Sequence, residues 1–184
     1  LGSEAVASVG LTTQPKFLGL SLFFAMNVAI AAIVARRTGE KDKRRANETL
    51  AEAILLTILF GAVITVACVS LAGWLMEKCG SGPDTHDGAV IYFQIIMGGM
   101  IFNIISMVIN AAQRGAGNTK IAMYTNTISS IVNIIGNYLL IGGHLGFPKL
   151  GIRGAALATV LGTVVGCTIS VMSLFRKDSF LSIP

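Results

Sequence analysis

Five uncharged, strongly apolar stretches, at 17–35, 53–76, 88–113, 121–143 and 154–175, each 19 to 26 residues long, occupy most of a 184-residue chain. A helix rises ~1.5 Å per residue and a bilayer's hydrocarbon core is ~30 Å thick, so about 20 apolar residues span it. The composition agrees: 53% of residues are hydrophobic and 12% charged, and the mean hydropathy is +0.74. The charges fall between the stretches, whereas a soluble core helix carries them along one face. Lipid admits only helices or closed barrels, and barrel strands are shorter and alternate in polarity. The run 154–175 does not alternate. The expected fold is therefore an all-α polytopic membrane protein.

The net charge of +5 invites a nucleic-acid reading until its distribution is mapped. Ten of the fourteen basic residues lie in alternate gaps: Arg36, Arg37, Lys41, Lys43, Arg44 and Arg45 after the first span, Arg114 and Lys120 after the third, Arg176 and Lys177 after the fifth. The other gaps hold only Lys78, Lys149 and Arg153. The positive-inside rule makes the first set cytoplasmic, with residue 1 outside and the C-terminal tail inside. The basic surplus is thus a topology signal in a multi-pass protein of the cell (inner) membrane, and no nucleic-acid partner is expected. Cytoplasmic loops are expected at 36–52 and 114–120, and outer loops at 77–87 and 144–153. The chain opens on Leu1 without a signal peptide, as an excerpt lacking an upstream helix would.

The first connector, ARRTGEKDKRRANETLAE, reads either as a solvated linker or as a basic amphipathic segment on the inner leaflet, with Asn47 or Thr49 as a helix cap. Its sequon, Asn47-Glu48-Thr49, is inert on the cytoplasmic side. The later connector from Gln113 to Lys120 is glycine-rich and ends in lysine, but a phosphate-binding loop needs Gly-Lys-Ser/Thr after a strand. A tight helix-to-helix turn, with Gly115 or Gly117 at positive φ, fits better. Cys68, Cys79 and Cys167 show no paired spacing, so no disulfide framework or metal site is expected.

Polar residues inside the spans carry the functional signal, because in hydrocarbon they must find partners or water. Asn126, Ser130, Asn133 and Asn137 fall at i, i+4, i+7 and i+11, on one face of the fourth span. Asn103, Ser106, Asn110 and Gln113 do the same in the third, and Thr159, Thr163, Gly166 and Ser170 form a milder stripe in the fifth. Interhelical glue is one reading; a wet cavity that binds a ligand or cation through neutral oxygens is the other. In the first span, Lys16 after Pro15 either snorkels to water at the outer boundary or belongs to a helix that starts upstream, near residue 5, kinks at Pro15 and carries Gln14 and Lys16 into a cavity. No span holds Asp or Glu, and His86 and His144 lie in outer gaps, so an intramembrane hydrolase is not expected.

Three segments, ARRTGEKDKRRA, QRGAGNTK from Gln113 to Lys120, and GIRGAALAT from Gly151 to Thr159, resemble the MATE multidrug and toxin extrusion transporters in order and spacing. The segment from Asn133 to Ile141 is similar to that family's fifth helix. The resemblance covers essentially the whole chain. It implies helices two to six of a six-helix lobe, the amino-terminal one, in a twelve-helix transporter. Asn137 stands where some members carry Asp, and the family's other Asp lies in a helix outside this chain. The function implied is antiport: inward Na⁺ or H⁺ drives export of organic cations by alternating access, with no cofactor beyond the coupling ion. The partners implied are small-molecule drugs, the lipid bilayer and the remaining lobe. Asn103, Asn110, Asn133 and Asn137 are expected to line the cavity, with Gln14 and Asn27 from the first span. Gly98, Gly99, Gly136, Gly162 and Gly166 are expected to permit close helix approach. A flippase or exporter of lipid-linked precursors, and a non-transporting scaffold, are the alternatives.

Overall fold

A computed structural model describes residues 2–176 and 180–181, which are helical with short connections and no strand. Leu1 and Lys177, on which the orientation of the two ends partly rests, lie outside the described residues.

The first segment is a nearly continuous rod, α1 (Ser3–Leu11) and α2 (Thr13–Gly39). The break falls at Thr12 rather than at Pro15. Proline clashes with the carbonyl four residues earlier, which here is Leu11, so the disturbance appears one turn upstream of the ring. Thr12 Oγ1 closes the break by donating to Val9 O at 2.7 Å.

The connector expected at 36–52 is mostly helix. Only residues 40–42 separate α2 from α3 (Lys43–Ser70). Arg36 Nε and Arg37 Nη1 donate to the Glu40 carboxylate at 3.0 and 2.9 Å, and Lys41 turns the chain at φ 57°. Asp42 then caps α3 by accepting from Arg45 N at 3.0 Å. Asn47 and Thr49 are thus interior to α3, and Thr49 Oγ1 donates to Arg45 O. Charge marked this segment as a connector, but Lys, Arg, Ala and Glu are good helix formers and extend α3 into water.

The helix α4 (Ala72–Lys78) follows, then α5 (His86–Gly98) and α6 (Met100–Gly115), which form one span bent by 43°. The turn after α6 places Gly117 at φ 84°, with Asn118 N donating to Gln113 O at 2.8 Å. Helices α7 (Thr119–Gly142) and α8 (Ile152–Leu174) complete the fold. By length and apolarity α1–α2, α3 and α8 qualify as membrane spans, and the bent α5–α6 pair makes a fourth. With 24 residues α7 is long enough, but Asn126, Asn133 and Asn137 dilute it.

The other spans close around α6, which packs on α2, α3, α7 and α8. Beside it lie two apolar clusters, one around Val34, Leu50, Ile109 and Leu174 and one around Phe23, Met76, Phe93 and Met97. Large apolar residues such as Leu18, Val28, Leu55 and Val63 point outward, as a lipid-facing surface requires. Lipid is as apolar as leucine, so close backbone approach must hold such helices together. A Cβ on Gly154 would lie 2.5 Å from Leu140 O, one on Gly99 2.6 Å from Val160, one on Gly162 2.9 Å from Ser129 O, and one on Gly136 3.0 Å from Ala158. Gly166 meets Ser129 at ordinary contact distance, while Gly98 faces open space.

Candidate functional site

The seam between α7 and α8 collects polar side chains that one-face spacing brings together. Asn133 Nδ2 donates to Thr159 Oγ1 at 3.1 Å, and Asn137 Nδ2 donates to Asn133 Oδ1 at 3.0 Å. Ser129 Oγ donates to Gly162 O at 2.7 Å, where only a glycine lets the two backbones meet. Asn137 Oδ1 is buried and has no partner among the described residues. Such an oxygen costs about 1–3 kcal/mol unless a donor or a cation reaches it. Beside it opens a cavity of about 400 Å³ lined by Ser129, Ser130, Asn133, Ile134, Thr159 and Thr163.

Thr159 and Thr163 also line a second, smaller cavity, of about 30 Å³, with Lys16, Asn103, Gly99 and Met100. That volume admits one or two waters or one small polar group. Gly99 lies at the bend between the 13 residues of α5 and the 16 of α6, which puts it roughly 20 Å from either end at ~1.5 Å per residue. Lys16 therefore lines a cavity beside this bend, on a helix that starts upstream at Ser3, while Gln14 does not enter that cavity.

Asn110 is placed apart from both cavities. It is 4% exposed and belongs to a closed ring between α6 and α8: Ser106 Oγ lies 3.1 Å from Ser170 Oγ, Ser170 donates to Asn110 Oδ1 at 3.2 Å, and Asn110 Nδ2 donates back to Ser106 at 3.4 Å. Gln113 Nε2 donates to Ser173 Oγ one turn further in. This ring satisfies itself and has the form of interhelical glue. Asn27 accepts from Arg114 Nη2 at 3.0 Å, joining α2 to α6. Gln14 is exposed and lines a hollow with Leu11, Cys79 and Thr85 near the start of α5.

The five asparagines and one glutamine proposed from sequence thus divide. Asn133 and Asn137 are bonded to each other, and Asn103 lies across α8 from them, sharing Thr159 as a neighbour. Asn110, Asn27 and Gln14 are elsewhere. Sequence spacing under-weighted Ser129, Thr159, Thr163 and Lys16. Ser129 lies one turn before Asn133, and the two threonines are themselves at i, i+4. Among the described residues no group of three His, Cys, Asp or Glu could hold a metal ion.

The MatE family model matches residues 1–139. A probable multidrug resistance protein NorM of Thermotoga maritima is 28% identical over 178 residues, covering 96% of this chain and 38% of the relative. An FAD transporter of Shewanella oneidensis is 28% identical over 185 residues, covering 98% of this chain and 40% of the relative. The fold also matches an inward-facing conformation of a multidrug resistance MATE family transporter of the MOP superfamily, with a TM-score of 0.90 and 29% identity over all of this chain and 41% of that one. An outward-facing conformation of such a transporter matches with a TM-score of 0.88 and 30% identity, covering 100% of this chain and 40% of that one. The chain therefore spans about two fifths of the length of the relatives it matches.

Proposed function

The chain belongs to the MatE family, and from that premise we propose that the transporter it forms part of exports small organic cations by Na⁺- or H⁺-driven antiport. The observation that carries this reading is the α7–α8 seam: the buried, unpartnered Asn137 Oδ1 beside a polar cavity in a part of the protein otherwise built for lipid. Neutral oxygens in a low-dielectric setting attract a cation without fixing a permanent negative charge. The relatives' names, multidrug resistance proteins among them, support the substrate class. The near-equal likeness of this lobe to an inward-facing and an outward-facing transporter supports alternating access in which the lobe rocks as a unit.

In this reading the spans sit in the cell membrane with the Arg36–Arg45 turn and the Arg114–Lys120 turn on the cytoplasmic side, and a second lobe completes the cavity. The test is energised efflux of a fluorescent organic cation from cells expressing the whole transporter, with the Na⁺ and H⁺ gradients collapsed separately. Efflux that stops with one gradient names the coupling ion. Efflux no higher than in empty-vector cells, with membrane insertion verified, moves the assignment to export of a lipid-linked precursor or to a scaffold.

A further inference from the structure

Among the described residues no carboxylate pairs with the cation of Lys16. The ion pairs among the described residues all lie in the cytoplasmic turn and the first turns of α3, between Arg36 and Glu48. The span stretches contain no Asp or Glu. Yet Lys16 lines a small cavity between apolar helices, where an unpaired charge is held by water or a ligand.

The donors around that cavity are unevenly used. Thr163 Oγ1 donates to Val160 O at 2.7 Å and Thr159 Oγ1 to Ala155 O at 3.0 Å, so both hydroxyl protons are committed to their own helix. The side chains of Asn103 and Lys16 make no hydrogen bond among the described residues. An ammonium and an amide therefore offer free N–H groups into one hollow, and what they lack is an acceptor with negative charge. We infer that Lys16 and Asn103 bind the carboxylate or phosphate of an exported compound, so that this lobe favours substrates carrying both charges over plain cations. The hollow accepts one such group. Thr159 and Thr163 border the larger cavity as well, which leaves room for the rest of the ligand along the α7–α8 seam.

This inference rests on the export reading, but its test is a binding measurement. A rhodamine free acid and its methyl ester differ only in the carboxylate. Their affinities for the purified whole transporter, read by fluorescence anisotropy, should differ about tenfold in favour of the acid, the effect of one charge-assisted contact. Lys16→Met should bring the ratio near one and Lys16→Arg should keep it. A wild type that binds the acid no more tightly than the ester, including one that binds neither, overturns the inference. So does a ratio that Lys16→Met leaves unchanged, or a Lys16→Met variant weakened equally toward both dyes, which is how a lysine paired with an acid elsewhere in the transporter behaves. Failure of the export reading shows itself separately, as binding without gradient-driven flux.

Discussion

Asn133 and Thr159 are joined across the α7–α8 seam by a 3.1 Å hydrogen bond from the asparagine amide to the threonine hydroxyl. The bond belongs to a directed series. Thr159 donates to Ala155 O, accepts from Asn133, and Asn133 accepts in turn from Asn137, whose own oxygen is left without a donor. Each asparagine amide spends one of its two N–H groups within the series, and the function left without a partner at its end is an acceptor. A buried acceptor at the end of a polar series suits a seam that responds to a cation.

Thr159→Val keeps the shape and removes the acceptor for Asn133. Hydrogen bonds between membrane helices contribute about 0.6–2 kcal/mol, so thermal unfolding in detergent should show a loss of that size. Thr159→Ser, which restores the hydroxyl, should recover most of it.

The helix contacts make a contrasting pair of predictions. A Cβ at Gly154 would lie 2.5 Å from the Leu140 carbonyl oxygen, which is backbone and cannot swing away. Gly154→Ala should therefore cost about 1–3 kcal/mol, as overpacking does. Gly98→Ala meets nothing within 4 Å and should change stability by no more than about 0.5 kcal/mol. Melting curves of the two variants side by side decide it.

At the turn between α2 and α3, hydrogen bonds from Arg37 and then Arg36 hold the Glu40 carboxyl below its usual value. The unfolded chain keeps the ordinary carboxylate value, so the stabilisation is complete above that value and disappears as the pH falls through the lower, folded one. Glu40 is exposed, so the effect is small. Wild type and Glu40→Gln should differ in melting temperature by a constant amount near neutral pH, and the difference should close on acidification. A gap that widens in acid contradicts this.

Much of this was legible in the sequence, and the limits have physical causes. Apolar length located the spans because lipid demands it. The helical character of the connector was hidden because charge marks the aqueous side without marking where hydrogen bonding stops. Asn133 and Asn137 were found by their spacing, since i and i+4 meet on any helix. Asn110 shares a face with Asn103, but it lies two turns deeper, where α8 presents Ser170, and spacing along one helix says nothing about the neighbour at each depth. That Lys16 lines a cavity follows from a helix that begins upstream of it, a start that the even apolarity of residues 5–11 does not mark.

The central claim is that the α7–α8 seam lies on the transport path, and the most direct measurement is the initial rate of gradient-driven dye extrusion by the whole transporter carrying Asn133→Ala. Truncating this residue removes both the link to Thr159 and the acceptor that orients Asn137. The rate per folded molecule in the membrane should fall about tenfold or more, equivalent to ~1.4 kcal/mol or more of lost substrate or ion stabilisation, while most of the protein stays folded. A variant whose rate falls only in step with its folded fraction, or not at all, would show the seam to be packing and place the path elsewhere.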